Sequence, residues 1–139
     1  MTEKEKKLLI TDLAARTAFG VMVEQSLYPH VEKEQWLKSV QKNDAVQLYW
    51  YKYINEFVPV HCVKPYLRPM SSMTKEEQKA FDDFCVIDEE AWKGNGIVGY
   101  INQAQIMADA VDFLNAHHFD FRGLIEKGLA IEAPKDMYK

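Results

Sequence analysis

The sequence is short of cysteine, of net positive charge and of a long apolar run near its start, and each shortage excludes a class of protein. With 17 Lys and Arg against 21 Asp and Glu, the net charge of -4 excludes a broad attraction for phosphate backbones or anionic lipid. Thr11 and Asp12 interrupt the apolar residues of the N-terminal stretch, so we expect neither a signal peptide nor a membrane span. Cys62 and Cys85 form neither a Cys-x-x-Cys pair nor a disulfide framework. They predict reduced core thiols in a cytoplasmic protein.

The chain has enough hydrophobic residues to form one core. The chain has 139 residues, of which 47% are hydrophobic and 12% aromatic. A chain of this length and composition is typical of one compact domain. Because we find no internal repeat, low-complexity tract or linker, we expect one α+β domain that spans residues 1–139.

Three helices are expected to cover a small antiparallel sheet. Thr2 with Glu5, and Thr74 with Glu77, have the spacing of a capping box, in which two side chains satisfy the first backbone amides of a helix. The first helix should bury Leu9, Ile10, Leu13 and Ala14. Helices are predicted near residues 3–16, 75–85 and 100–118, the last being the longest periodic segment.

The strongest strand signal covers residues 45–63. Val46, Leu48, Trp50 and Ile54 alternate with Gln47, Tyr49, Tyr51 and Tyr53, which predicts one core face and one amphipathic face. After a turn at Asn55 and Glu56, residues 57–63 alternate again. Pro59 cannot donate a ladder hydrogen bond, so this second strand should lie at an edge or carry a bulge. Val21 and Val23 indicate a further short strand.

Other segments have weaker signals. Residues 24–44 are polar, and Trp36, Leu37 and Val40 allow either a short helix or an ordered loop. Pro65 and Pro69 indicate a stiff extended crossing. Asp120 is expected to cap a final short helix that ends at Gly128.

Two stretches that look like ligand motifs are better explained without a ligand. "GNGIVG", at residues 94–99, has the letters of a dinucleotide fingerprint, but a charged segment precedes it where that fingerprint needs a buried strand. The acidic residues lack the alternating ligands and central glycine of a calcium loop. They are Asp82, Asp83, Asp88, Glu89 and Glu90, and we interpret them as solvent-exposed.

"DFLNAHHFDF", at residues 112–121, combines two histidines with aspartates, as metal and acid/base sites do. At about 100° per residue, a regular helix places His118 on a buried stripe and puts the aspartates on another face. The stripe comprises Met107, Val111, Leu114 and His118, and the other face carries Asp109 and Asp112. A core histidine is therefore the favoured interpretation, and a metal clamp on this helix is excluded.

An early end of this helix would restore the hypothesis of a site at the two histidines. If the helix stops near Asn115, Asp120 could orient His117 or His118, as in a general base held by a carboxylate. This alternative is a small metal-dependent or acid/base enzyme that uses His117, His118 and Asp120.

The other candidate site is an aromatic surface on the sheet. Its residues would be Tyr49, Tyr51, Tyr53, His61, Tyr66 and Arg68. Such rings most often pack within their own domain, and otherwise bind a protein or stack on single-stranded bases. Nucleic acid ranks last, because few Lys or Arg residues are interleaved.

Two stretches carry a family resemblance. They are "KPYLRPMSSMTKEE", at residues 64–77, and "HFDFRGLIEKGLAIEAP", at residues 118–134. Together they resemble a family of small uncharacterised proteins from gut bacterial genomes and their prophages or mobile elements. The resemblance implies a cytoplasmic protein of phage or mobile-element origin, and it implies no enzymatic activity, cofactor or catalytic residue.

The sequence thus favours a non-enzymatic protein-interaction or accessory module that uses the tyrosine-bearing face of the sheet. We expect no cofactor, an unidentified protein partner and no membrane partner, and self-association stays open. The enzyme alternative at His117, His118 and Asp120, and single-stranded nucleic-acid binding, remain the competing hypotheses.

Overall fold

The computed structural model describes residues 1–49, 57–84 and 96–138. Within them, one α+β domain combines a six-stranded, mostly antiparallel sheet with three helices, which confirms the predicted fold class. The helices are α1 (Glu3–Arg16), α2 (Lys75–Phe84) and α3 (Gly96–Ala116). The strands are β1 (Met22–Gln25), β2 (Glu34–Val40), β3 (Ala45–Leu48), β4 (Phe57–Pro59), β5 (Val63–Leu67) and β6 (Ile131–Glu132).

The sheet has the strand order β4-β3-β2-β1-β5-β6. Each neighbouring pair is antiparallel except β5 with β6, which is parallel. Strand β4 lies at one edge, as the missing amide hydrogen of Pro59 predicted. The short strand expected from Val21 and Val23 is β1, and it lies inside the sheet.

One face of the sheet, here called the inner face, is buried against α1. Val23, Leu37 and Val46 lie on this face and are at most 2% exposed. Leu9 and Leu13 of α1 join the same core cluster. Its other members are Val21, Leu48, Val58, Val60, Val63, Leu67, Leu124, Leu129 and Ala130. Burial of this apolar surface is the main force that holds α1 to the sheet.

Both predicted capping boxes are present. The Thr2 hydroxyl accepts a hydrogen bond from the Glu5 amide at 3.1 Å, and the Glu5 carboxylate accepts one from the Thr2 amide at 2.8 Å. Thr74 and Glu77 repeat the arrangement at the start of α2, with 3.1 and 3.0 Å. The starts of these two helices were therefore predicted correctly.

Helix α1 buries a different stripe from the predicted one. Leu9 and Leu13 are fully buried, but Ala14 is exposed, and Asp12 and Arg16 are buried instead. The reason is an ion pair between Asp12 and Arg16, which lets two charged side chains enter the core together. A stripe that was chosen by hydrophobicity alone missed both.

Two other segments differ from their predictions. The segment with Trp36, Leu37 and Val40 is neither a helix nor a loop, because it forms strand β2 between β1 and β3. The extended crossing around Pro65 is strand β5, and Pro65 pairs with Val23 of β1. Backbone pairing to neighbouring strands determined both outcomes.

The final helix predicted after Asp120 is absent, since residues 121–128 form consecutive turns. The Asp120 carboxylate, predicted to cap that helix, instead accepts hydrogen bonds from the amides of Leu124 and Ile125 in a turn, at 2.8 and 2.9 Å. Gly128, with a φ of 71°, closes the turn as expected.

Several predicted features lie outside the described residues. They are Trp50, Tyr51, Tyr53, Ile54, the turn at Asn55 and Glu56, Cys85, the acidic residues Asp88, Glu89 and Glu90, and the first two residues of the glycine motif, Gly94 and Asn95. Cys62 is half-buried and packs against the core.

Candidate binding face and histidine region

The side of the sheet opposite α1 carries exposed aromatic rings on three adjacent strands. We call this surface the outer face and define it by Glu34, Trp36, Lys38, Tyr49 and Phe57. Trp36 is 43% exposed, Tyr49 60% and Phe57 44%. Isolated exposed hydrophobic residues are common on soluble proteins, whereas these three are neighbours and form one exposed aromatic patch.

Strand pairing explains why the aromatic residues are neighbours. The backbone amide of Tyr49 donates to the carbonyl of Trp36 at 2.9 Å, which places β3 beside β2 at that level. Phe57 is opposite Gln47, and Gln47 is opposite Ser39. Side chains alternate between the two faces of a strand, so the burial of Leu37 and Leu48 turns Trp36 and Tyr49 outward.

Charges of opposite sign flank Trp36 along β2. Glu34, Trp36 and Lys38 occur at every second residue, and Glu34 and Lys38 are exposed. The Lys38 ammonium lies 5.7 Å from the centre of the Tyr49 ring, which confirms that Lys38 is on the outer face despite the bulge after Leu37. Along β2, the outer face is therefore apolar at its centre, acidic on one side and basic on the other.

The described residues form only part of the predicted aromatic surface. Tyr49 lies on the outer face, His61 is exposed in a 3-10 turn beyond β4, and Tyr51 and Tyr53 lie outside the described residues. Tyr66 is only 6% exposed, and its hydroxyl donates to Glu24 at 3.2 Å. Burial, together with Glu24 and Glu34, raises the pKa of Tyr66 to about 12. Tyr66 is thus a structural residue.

Sequence reasoning missed two of the three exposed rings. Trp36 was placed in a helix or loop, and Phe57 was noted only for its strand alternation. A strand pattern that includes Glu34, Trp36 and Lys38 is present in the sequence, but the bulge between Leu37 and Ser39 breaks the alternation downstream. That interruption concealed the strand.

Arg68, the last residue predicted for the aromatic surface, is a structural clamp. Its two terminal nitrogens donate to both carboxylate oxygens of Glu77 at 2.8 Å and also to the carbonyls of Ser72 and His117. Its guanidinium lies 4.3 Å from the centre of the Phe119 ring. Arg68 thereby ties the start of α2 to the end of β5 and to the residues after α3.

Glu77 is held ionised by this clamp. Hydrogen bonds from the Arg68 guanidinium, and then from the Thr74 backbone, lower the pKa of Glu77 to about 2. The Nδ1 atom of His117 lies 3.3 Å from the second Glu77 oxygen, and the His117 ring packs on Phe113 with 4.3 Å between centroids. His117 is therefore beside Glu77, a carboxylate that the sequence analysis did not connect with it.

His118 does not lie on the predicted helical stripe. Helix α3 ends at Ala116, and His118 has a φ of 65°, so the helical count does not extend to it. The Phe119 amide donates to the Leu114 carbonyl and the His118 amide to the Asn115 carbonyl, which is the Schellman ending of a helix. Glycine or asparagine usually occupies the left-handed position that His118 has here.

Two of the three residues predicted to share a buried stripe with His118 are exposed. Met107 is 62% exposed and Val111 is 36% exposed, whereas Ala110 and Leu114 are buried. The helix is therefore rotated relative to the predicted orientation. Asp112 is exposed, in agreement with its predicted position away from the core.

The His118 ring stacks on Tyr138 instead, with 3.5 Å between centroids. Burial, and then the nearby Arg16 charge, lowers the pKa of His118 to about 4. Its Nδ1 atom is buried and has no hydrogen-bond partner among the described residues. His118 is therefore a neutral packing residue near neutral pH, which agrees with the favoured structural interpretation.

The structure does not bring Asp120 to an imidazole as a hydrogen-bonded pair. Both Asp120 oxygens accept from the backbone amides of Leu124 and Ile125, and Asp120 is 8% exposed. The helix does end early, as the alternative required, but the carboxylate caps a turn. In the described residues, no group of three or more His, Cys, Asp or Glu side chains is placed to hold a metal ion.

A buried ion-pair network beside this region was not predicted. Arg16 is fully buried, and it donates to Asp12 at 2.8 and 3.0 Å and to the Phe119 carbonyl at 2.7 Å. Arg122 donates to the same Asp12 carboxylate at 2.7 Å. The spacing of Asp12 and Arg16 by four residues, which suits a helical ion pair, is the signal that could have found it.

A groove of about 710 Å³ lies between residues 68–77 and the C-terminal segment 132–138. Its lining includes Arg68, Glu77, Lys135 and Tyr138. The Tyr138 hydroxyl donates to the Tyr66 carbonyl at 2.7 Å and accepts from the Met22 amide at 3.0 Å. The polar groups of Arg68, Glu77 and Tyr138 are thus already bonded within the protein.

Compared with models of known protein families, with curated proteins and with solved structures, the chain has no match in any of the three. No helix in the described parts of the chain is long and apolar enough to cross a membrane. The function must be inferred from the geometry of the residues themselves.

Proposed function

We propose that this protein is a non-enzymatic interaction module that binds a protein partner through the outer face. The observation that carries the proposal is the placement of Trp36 on β2, Tyr49 directly after β3 and Phe57 on β4, each at least 43% exposed and on neighbouring parts of the sheet. Tryptophan and tyrosine dominate the binding energy of many protein interfaces, because they bury a large area with little loss of side-chain entropy.

The hydrogen bonding elsewhere supports this choice of surface. Arg68, Glu77 and Asp120 all make internal hydrogen bonds that fasten the fold. The outer face differs, because its Lys38 and Glu34 side chains are exposed beside the aromatic residues. It has the apolar centre and polar rim that protein interfaces have.

Single-stranded nucleic acid is the competing ligand for the same surface. Exposed rings on a sheet can stack on bases, and Lys38 lies over Tyr49. Glu34 on the same face and the net charge of -4 oppose it, because phosphate contacts provide most of the affinity in such complexes. We therefore favour a protein partner.

The test is affinity purification of the tagged chain from its native host, with and without nuclease, followed by mass spectrometry. Trp36→Ala and Tyr49→Ala should each lose the co-purified protein that wild type retains after nuclease treatment. Met107→Ala removes a 62% exposed apolar side chain from α3 and is the matched control, which should behave as wild type.

Two outcomes would overturn the proposal. Retention of the same partners by Trp36→Ala and Tyr49→Ala would place binding elsewhere. Loss of all co-purified material after nuclease, together with salt-sensitive retention on oligonucleotides, would favour the nucleic-acid alternative.

A further inference from the structure

Two residues of opposite charge flank Trp36 symmetrically along β2, and this arrangement favours one kind of partner. Along β2, Glu34 lies two residues before Trp36 and Lys38 lies two residues after it. Residues two apart on a regular strand are separated by about 7 Å. The position of the Lys38 ammonium over the Tyr49 ring shows that the bulge leaves this charge on the outer face, on the side of Trp36 away from Glu34. A half-turn about an axis through Trp36 exchanges the position of Glu34 with that of Lys38.

We propose that the outer face binds the outer face of a second copy of this chain, through a two-fold axis near Trp36. In such an isologous contact, the β2 strands of the two copies run antiparallel, and each Glu34 meets the Lys38 of the other copy. The aromatic residues of the two copies then cover one another at the centre. This inference rests on the proposed function, because it names the partner of the same surface.

The surroundings of both charges fit this arrangement. Lys38 lies over the Tyr49 ring at 5.7 Å, and a Tyr66 hydroxyl contact at 3.5 Å holds Glu34 on the same side of the sheet. Both side chains are exposed. Two sheets that pack face to face prefer strand directions within about 30° of each other, which an antiparallel β2 pair satisfies.

A partner with a different sequence would not require this symmetry. A uniformly acidic or basic rim would serve such a partner equally well, and two copies with a uniform rim would repel each other. A rim that is acidic at one end and basic at the other is complementary to itself. This self-complementarity is what favours a second copy over another protein.

Charge reversal tests the inference by sedimentation velocity across a wide range of concentrations. Wild type should associate to dimers as its concentration rises. Glu34→Lys and Lys38→Glu should each raise the dimer Kd by at least about tenfold, because like charges then face each other twice. The double variant, Glu34→Lys with Lys38→Glu, should restore dimerisation, since the two charges have only exchanged places.

A mixture of the two single variants gives a second, independent readout. One variant then has two positive charges around Trp36 and the other has two negative charges, so an equal mixture should form heterodimers although each variant alone is monomeric. Glu76→Lys and Lys79→Glu, at exposed positions on α2, are the matched controls and should dimerise as wild type does. Circular dichroism of each variant verifies that it is folded.

Wild type that stays monomeric at all concentrations, or a double variant and a mixture that both fail to associate, would overturn the inference. The proposed function would be unaffected if Trp36→Ala still abolished co-purification of another protein. If neither self-association nor any partner depended on Trp36, the inference and the proposed function would both be wrong.

Discussion

At the scale of single residues, the backbone conformation of His118 determines which groups its side chain contacts. His118 was predicted on a helical stripe, but a Schellman ending stops α3 at Ala116 and turns His118 onto Tyr138. No glycine marks that ending in the sequence, and although histidine is among the non-glycine residues that more often adopt the left-handed conformation, that preference alone does not locate a helix end. His118 is only partly buried, and the neighbours predicted for it on the helix are not its contacts.

The pH dependence of stability tests the environment of His118. The pKa of His118 is lowered by burial to about 4 from its ordinary 6.5, so the unfolded chain binds a proton between these values while the folded chain does not. The stabilising effect is therefore present above pH 6.5 and is lost as the pH falls towards 4. Asparagine tolerates a positive φ, so His118→Asn should flatten the dependence of the urea midpoint on pH in this window.

His61→Asn, which removes an exposed imidazole, is the matched control for that experiment. An unchanged slope in His118→Asn between pH 6.5 and 4 would show that His118 is not a buried neutral group.

The buried ion-pair network predicts a large loss of stability at a single residue. Asp12→Ala leaves the fully buried Arg16 without its carboxylate partner, which should lower the free energy of unfolding by about 3–5 kcal/mol. Denaturant unfolding measures this loss. Asp83→Ala, at an exposed position on α2, should change stability by less than about 0.5 kcal/mol. A loss below about 1 kcal/mol for Asp12→Ala would contradict the inferred role of the network.

Among the secondary-structure elements, those with local signals were predicted and those that depend on pairing were not. The capping boxes at Thr2 and Thr74 act within a few residues, so α1 and α2 were placed correctly. Strand β2 has one fully buried apolar residue, Leu37, and a bulge beside it. Its conformation comes from hydrogen bonding to β1 and β3, which one segment of sequence does not reveal.

Arg68 connects the end of β5, the start of α2 and the residues after α3, and a substitution can test its contact with Glu77. Arg68→Lys keeps the positive charge but removes the two-nitrogen contact with Glu77, because an ammonium group cannot reproduce the planar guanidinium. We expect a loss of about 1.5–3 kcal/mol in stability. Hydrogen exchange should become faster at the first turn of α2 and at residues 117–119.

Lys75→Arg, at an exposed position on the same helix, is the control and should leave exchange at both places unchanged. Equal protection of α2 in Arg68→Lys and in wild type would show that the clamp does not hold these elements together.

At the scale of the whole molecule, one face of the sheet is buried against α1, and the other carries the exposed aromatic residues that we propose bind a partner. The α+β class was predicted because the apolar alternation of Val46 and Leu48 is strong, and both are buried as expected. The location of the candidate site was predicted only at Tyr49, because Trp36 and Phe57 become its neighbours through the order of strands. That order is a property of the folded chain.

The burial of one face and the exposure of the other predict different losses of stability for two large apolar side chains. Leu13→Ala removes a fully buried side chain of α1 and should lower the free energy of unfolding by about 2–5 kcal/mol. Trp36→Ala removes a 43% exposed ring and should lower it by about 1 kcal/mol or less, while association is lost. Urea unfolding followed by circular dichroism measures both. A larger loss for Trp36→Ala than for Leu13→Ala would assign Trp36 to the core.

Hydroxyl-radical footprinting of Trp36, Tyr49 and Phe57 tests most directly whether the outer face is a binding surface. The protein is oxidised when dilute, when concentrated and in native host extract, with exposed Met107 as the internal reference. We predict that the three rings are oxidised readily in dilute protein and are protected in concentrated protein, where a second copy covers them. Protection in extract alone would mean a different protein partner. Equal oxidation of the three rings in all conditions would contradict the claim that the outer face binds a protein.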